Sequence, residues 1–340
     1  VKKIENKTNL EGSFSLKSNN AIKNYQTNIN EKININDLVF KSTPKISKKG
    51  IYNNYEFVLK NANTDTQNSG GYKNGQSHYI GGLLQYNSSL PLIKETENYQ
   101  NILRPKLAFK LSPEHTKDKS SSFTRLDVNN VYGIDRLASS DALEGGASIT
   151  IGSEYSKIEK ETSRENFSFK IANNLRFKEN DDLPINNQMG LKTSNLFGEI
   201  VFNPNQYFLT KYNFSKKNNF KDVTYESIKT ELNINKFKTT FDYINENDSQ
   251  QDKTSYLLSE LNFNINEKNN LYFSTRENKE KKLTEYYNLV YQYKLDCLAA
   301  SVEYSKNFYD DRDIKPEENI FIKLTIMPFG QIASTPDLKN

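Results

Sequence analysis

The chain has 340 residues, 35% of them hydrophobic and 12% aromatic, with 21 Tyr, 20 Phe and no Trp. Its mean hydropathy is −0.80, unlike an ordinary soluble globule, and no run approaches the ~18 apolar residues a membrane helix needs, so a helical membrane protein is excluded. A formal charge of +4 from 46 basic and 42 acidic residues leaves no concentrated basic patch, which argues against a nucleic-acid partner.

The first residues, VKKIENKTNLEGSFSLKSNN, lack the apolar core of a signal peptide, so an exported protein would be represented here by a mature product or a fragment. Residues 1–45 are polar and weakly patterned and are read as a lead-in or as first strands. From 46 to 330 the pattern is two-residue alternation, with almost no 3.6-residue period. Upstream candidates are YEFVLKNA (55–62), HYIGGLLQYNSSL (78–90), LRPKLAFKLS (103–112), ASITIGSEYSKI (147–158) and NFSFKIANNLRF (166–177). In the second half, KFKTTFDYI sets Phe237, Thr239, Phe241 and Tyr243 against Lys238, Thr240 and Asp242. YNLVYQYKL puts Tyr287, Leu289, Tyr291, Tyr293 and Leu295 on one face and Asn288, Val290, Gln292 and Lys294 on the other. CLAASVEYS and NIFIKLTIM repeat the pattern, the latter with Ile320, Ile322, Leu324 and Ile326 on one side.

Segments of roughly ten alternating residues suit membrane-spanning strands, and a soluble sandwich would alternate in the same way. Connection lengths discriminate better. From residue 194 they take turns: short near NPN and NINK, longer at SKKNN and NENDSQQDK, then NEKNN, RENKEKK, a tight LD and a long YDDRDIKPEE. Short turns on one rim and long loops on the other are the mark of an up-and-down outer-membrane barrel. The expected fold is therefore an all-β, antiparallel, up-and-down transmembrane β-barrel, ~16–18 strands in this chain, forming part of a larger barrel. A final strand is expected at 319–329, without a successor, because GQIASTPDLKN loses the alternation; residues 331–340 are read as a tail. Tyr287, Leu289, Tyr291, Leu298, Ala300, Val302, Ile320, Ile322 and Leu324 are expected to face lipid, and Gln292, Lys294, Ser301, Glu303 and Lys323 the lumen.

Catalytic chemistry is hard to find. His78, His115 and Cys297 have no metal-ligand spacing, so no metal site and no cofactor are expected. SGGYKNG (69–75) and EGGAS (144–148) fit no phosphate loop and read as turns. YDDRDIKPEE reads as a solvated loop, its functional alternative being contact with cations or lipopolysaccharide. No nucleophile and base stand in a recognisable pattern, and an enzyme is not expected.

The stretches GLLQYNSSLPL (82–92), ILRPKLAFKLSP (102–113), LDVNNVYGIDRL (126–137), LRFKENDDLPINNQMGLKTSNLFGEI (175–200) and YKLDCLAASVEYSKNFYDDRDIKPEENIFIKLTIMPFG (293–330) follow one another in a familiar order. Together they resemble the C-terminal barrel domain of the LPS-assembly protein LptD family, over about residues 75–330. Its periplasmic jellyroll and signal peptide are missing, its complete barrel has more strands, and Ser194–Asn195 stands where the family usually shows Ser-Asp. The resemblance implies delivery of lipopolysaccharide from the periplasm to the outer leaflet of the outer membrane, through a polar lumen and a lateral opening between first and last strands. It also implies outer-membrane lipid, a lipoprotein plug of the LptE kind and a periplasmic lipopolysaccharide-bridge protein as partners. Ile320, Ile322, Leu324 and Ile326 would line one side of the lateral gate. Cys297 follows the tight LD connection, and the family places there a cysteine that pairs with one in the periplasmic domain; the alternative is an inert thiol. A general porin and a surface β-module are the competing readings.

Overall fold

The computed structural model describes residues 11–25, 28–114, 117–137, 139–247, 253–295, 298–308, 316–326 and 330–332, and these contain strands but no helix. Every paired strand for which a register is defined runs antiparallel to its neighbour, and successive strands are up-and-down. The backbone groups into two compact units, residues 1–199 with 214–224, and residues 200–213 with 225–340.

In the first unit the long strands are β1 (Gly12–Tyr25), β2 (Ile29–Ser42), β4 (Tyr52–Gln67), β5 (Gly75–Ser89), β7 (Tyr99–Ser112), β8 (Gly146–Glu159) and β9 (Glu165–Arg176). Two short strands, β3 (Lys45–Ile46) and β6 (Leu92–Glu95), extend one rim by pairing with β4 and β7. The polar stretch before residue 45 thus supplies two full strands. Its weak pattern has a physical cause: one face of these strands turns from apolar (Phe14, Leu16, Leu38, Phe40) to polar (Ser18, Asn20, Asn34, Asn36) part-way along. Tight reversals fall on residues that accept a left-handed backbone, with Asn28, Asn68 and Gly75 all at positive φ.

β10 (Leu196–Asn205), β11 (Phe208–Lys216) and β12 (Val223–Ile234) divide their residues between the two units. The second unit continues with β13 (Phe237–Glu246), β14 (Thr254–Asn266), β15 (Asn269–Asn278), β16 (Leu283–Lys294), β17 (Leu298–Asn307), β18 (Glu317–Ile326) and β19 (Gly330–Ile332). The expected length alternation is present: two-residue turns at 235–236 and 267–268 face longer connections at 247–253 and 308–316. Asn235 adopts φ 51°, which a two-residue hairpin requires and asparagine tolerates.

Two expectations about the chain end are corrected. The final long strand begins at 317 rather than 319, because Lys306–Glu318 form an ion pair at 3.3 Å and Asn307 registers with Glu317, which draws both glutamates of YDDRDIKPEE into the ladder; the expected end at 327–329 lies outside the described residues. That strand also has a successor: residues 330–332 return along it, with Leu324 opposite Ile332 and Ile326 opposite Gly330.

Candidate functional site

The inner face of the first unit is covered by two of its own connections, 113–145 and 177–195, and the site is built from how they are held. The first begins to fold locally. The Asp127 carboxylate accepts the backbone N–H of Asn129 (2.7 Å) and Asn130 (2.9 Å), while the Asn130 side chain accepts from the Asp127 N–H (2.8 Å) and donates to the Arg125 carbonyl (3.0 Å). This closed turn commits NNVYGIDRL to a single path. Val131, Leu126, Val128 and Leu137 then pack with Leu183, Met189, Phe197 and Ala172 in one buried cluster. A second cluster joins Leu143 to Ile33, Ile35, Val58, Ala62, Tyr79 and Leu83 of β2, β4 and β5.

Strand side chains grip the backbone of the same connection. Lys60 donates to the Ser140 carbonyl (3.0 Å), Gln85 to that of Tyr132 (2.7 Å) and Lys110 to that of Gly133 (3.0 Å), and the Tyr79 hydroxyl accepts the Leu143 N–H (3.1 Å). These bonds satisfy buried backbone groups that a loop inside a β-structure would otherwise leave unpaired.

Glu144 lies at the centre, 1% exposed. Its carboxylate accepts from Arg136 Nε (2.8 Å) and Nη2, from Arg176 Nη1 (2.8 Å) and from Lys110 Nζ (3.1 Å). Burial would raise its pKa, but the charges of Arg136 and Lys110, the hydrogen bond from Arg136 and the charge of Arg176 outweigh burial and hold the carboxyl well below the usual carboxylate range. Arg136 is used to its full donor capacity, since it also reaches Asn174 Oδ1 (2.8 Å), Ser148 Oγ (3.1 Å) and Thr150 Oγ1 (3.1 Å). Gly146, at φ +87°, brings the chain past Arg176, whose Nη2 donates to the Gly145 carbonyl. EGGAS, expected as a turn, instead leads from irregular chain at Glu144 and Gly145 into β8, whose first residues are Gly146, Ala147 and Ser148, and it carries the anion of the cluster.

Asp141 is the second anchor. Lys119 (2.8 Å) and Lys117 (3.0 Å) pair with it and Ser139 Oγ donates to it (2.9 Å). Burial raises its pKa, the hydrogen bonds from Lys119, Lys117 and Ser139 lower it further, and the net value is about 2. Asp135 goes the other way: burial outweighs Lys60 and Lys110 and raises it.

The second connection is tied to the first by Asn186 and Asn187, which both donate to the Thr124 carbonyl at 3.0 Å. Ser194 and Asn195 are fully buried. Asn195 Nδ2 donates to the hydroxyls of Ser215 and Thr224, both at 3.0 Å.

The residues singled out by alternation lie in the second unit. Register sets Gln292 opposite Ser301 and Ser301 opposite Lys323, a polar row across β16, β17 and β18. Lys294 faces Ala299, and Glu303 lies between Val290 and Phe321, so that row is mixed. On the other face Tyr291, Val302 and Ile322 form one row, with Leu289–Tyr304–Ile320 and Tyr293–Ala300–Leu324 beside it and Leu298 opposite Ile326. Ile320 and Ile322 are 70% and 81% exposed, whereas Lys323 is half-buried. Cys297 lies outside the described residues. The Glu144 cluster has no counterpart in the alternation pattern; the signal available for it was Lys110 and Arg176 at inward positions of β7 and β9. Among the described residues no group of three or more His, Cys, Asp or Glu could hold a metal ion.

No curated protein matches the chain. The model of one family, described as LPS transport system D, matches residues 35–236 and so takes in both inner connections and every residue of the Glu144 cluster. The chain belongs to the LptD family of lipopolysaccharide-transport proteins.

Proposed function

We propose that the protein sits in the outer membrane and passes lipopolysaccharide from the periplasm to the outer leaflet through a polar lumen and a lateral exit. The family match carries this reading. It is supported by strands of the length that spans a bilayer and by rows of exposed Leu, Ile, Phe and Tyr backed by polar rows. No covalent step is needed. The energetic task is to move sugars and phosphates past polar side chains while acyl chains leave through an opened strand seam without entering water.

In this reading Tyr287, Leu289, Tyr291, Leu298, Ala300, Val302, Ile320, Ile322 and Leu324 face lipid, and Gln292, Lys294, Ser301, Glu303 and Lys323 face the lumen. β18, with Ile320, Ile322, Leu324 and Ile326, forms one side of the exit, and release of the short β19 from it frees its edge. A lipoprotein plug and a periplasmic bridge protein are the expected partners, and Cys297 pairs with a cysteine beyond these 340 residues. Depletion of the protein in its own cells tests the reading, with newly made lipopolysaccharide at the surface as the readout. Arrest of its arrival is expected; unchanged arrival with loss of small-solute permeability would make the protein a porin.

A further inference from the structure

The outer face of β1, β2, β4 and β5 turns from apolar to polar along the strands. On the face turned away from the inner connections, Phe14, Phe40, Phe57 and Leu84 form one register row and Leu16, Leu38 and Leu59 the next. Two residues further along, the same face turns mainly polar, with Ser18, Asn36 and Asn61 in a row that ends on the exposed Ile80. Asn20, Asn34, Asn63 and His78 make the next row, and Ile22, Lys32, Asp65 and Gln76 another. Behind this band the inner face buries Ile33, Ile35, Ala62 and Tyr79 together with Thr64 and Thr66. A sheet whose outer face is greasy and then polar, over one continuous inner cluster, is a sheet crossing from hydrocarbon into water.

The polar band is more than a collection of solvated side chains. Asn20 Nδ2 donates to Ser18 Oγ (2.8 Å), Ser18 Oγ to Asn36 Oδ1 (2.6 Å), Asn36 Nδ2 to Asn34 Oδ1 (3.0 Å) and Asn34 Nδ2 to Asn20 Oδ1 (2.5 Å). Asn63 Nδ2 donates to Asn61 Oδ1 (2.7 Å), and Asn63 Oδ1 meets His78 Nδ1 (2.9 Å). Asn20, Asn34, Asn36 and Asn63 each spend one N–H inside the ladder and keep a second N–H and a lone pair for an outside partner. The ladder fixes the rotamers, so a ligand would find them already oriented. Beside these rows runs an open groove of about 720 Å³, in which Asn20, Asn34, Asn63 and His78 and the Lys32–Asp65 pair (3.5 Å) are set among Ala21, Ile22 and Ile33, so that polar groups stand over a mostly apolar floor.

We propose that this groove holds the saccharide of a lipopolysaccharide molecule whose acyl chains lie against the Phe14 and Leu16 rows. The inference rests on the transport reading above. Oriented groups that both donate and accept suit sugar hydroxyls, which do the same, and the apolar rows directly below continue the surface that meets lipid. Amphiphile and strand face therefore match along their lengths, head to polar band and tails to apolar rows.

The test uses the full-length protein with its partners in its own cells and a photo-crosslinking amino acid at Asn34, Asn63 or Leu38. Adducts with lipopolysaccharide are expected at all three positions. In cells whose lipopolysaccharide is cut back to its lipid anchor, the adducts at 34 and 63 are expected to fall at least fivefold while that at 38 persists. Undiminished adducts at 34 and 63 with the truncated lipid would overturn the saccharide assignment, as would crosslinks there to a protein instead. Asn20→Leu with Asn36→Leu, which breaks the ladder on an exposed face, is expected to reduce the adduct at 63 without altering heat-modifiable migration. If export depends on the protein yet positions 34 and 63 give no adduct, the site fails alone; if export is indifferent to the protein, the transport reading fails with it.

Discussion

Glu144 shows how a buried charge cluster can be both expensive and necessary. Three cations converge on one carboxylate inside the first unit, and removing the anion leaves positive groups with no water to solvate them. Glu144→Gln should therefore cost about 3–5 kcal/mol, the range for breaking a buried pair. The measurement is the temperature at which the purified protein loses its folded, heat-modifiable migration; an unchanged midpoint would remove the cluster from the stability account. Arg136→Lys should also destabilise, because a lysine cannot reproduce the forked contact to Glu144 together with the bonds to Asn174 and Ser148. Asp141 adds a pH dependence whose sign is determined. Its folded pKa of about 2 lies below the ordinary 3.8, so its contribution is complete above about pH 4 and is lost as pH falls towards 2. Asp135, raised by burial, works in the opposite direction and gains from acidification. Limited pepsin digestion between pH 4 and 2 should open the chain near 139–142 as pH falls, and Asp141→Asn should cleave there equally at both ends of that window.

At the scale of elements, β18 offers the sharpest contrast between neighbouring positions. Ile322 and Lys323 are adjacent and point to opposite faces, one 81% exposed and the other half-buried. Placing a lysine at 322 puts a charge among Tyr291 and Val302 on the surface proposed to meet lipid, at a cost of about 2–4 kcal/mol if the position lies at mid-bilayer. Lys323→Ile should cost less, since Phe321 already shares that face. Assembly into the outer membrane, read as folded protein resistant to urea extraction, should fall for Ile322→Lys and be near normal for Lys323→Ile; the reverse order would exchange the two faces. These strands were legible in the sequence because alternation is a local signal, and so were the turns, because Asn and Gly announce them. The return of residues 330–332 onto β18 was not, since a three-residue strand is too short to show a period. Nor were the inner connections. Their order depends on partners such as Lys60 with Ser140 and Asn187 with Thr124, far apart in sequence, and a folded loop has no period to detect. β1 and β2 looked weak because one face of each is apolar over only part of its length, with Phe14 and Leu16 giving way to Ser18 and Asn20 and Phe40 and Leu38 to Asn36 and Asn34, and an alternation score averages the two parts.

Across the whole molecule, rim assignment links topology to assembly, and Cys297 is where that link can be tested. In the second unit the turns at 235–236 and 267–268 and the connection after Lys294 share one rim, because successive strands reverse. The last of these is closed by backbone bonds between Leu295 and Leu298, from the Leu295 N–H to the Leu298 carbonyl at 2.6 Å and in return at 3.4 Å. Short turns belong to the periplasmic rim of such proteins, the compartment in which disulfides form and persist. A bond from Cys297 to a distant cysteine of the full-length protein would close a long loop and stabilise the folded state by at most about 4–5 kcal/mol in the chain-entropy account. Alignment is the larger gain, since a covalent tie at this rim would hold the periplasmic conduit against the lumen mouth. On non-reducing gels the full-length protein should migrate differently from its reduced form, and Cys297→Ser should abolish the difference and slow lipopolysaccharide export. If Cys297→Ser migrates like the parent under both conditions, the thiol is inert and the conduit must be aligned by packing alone.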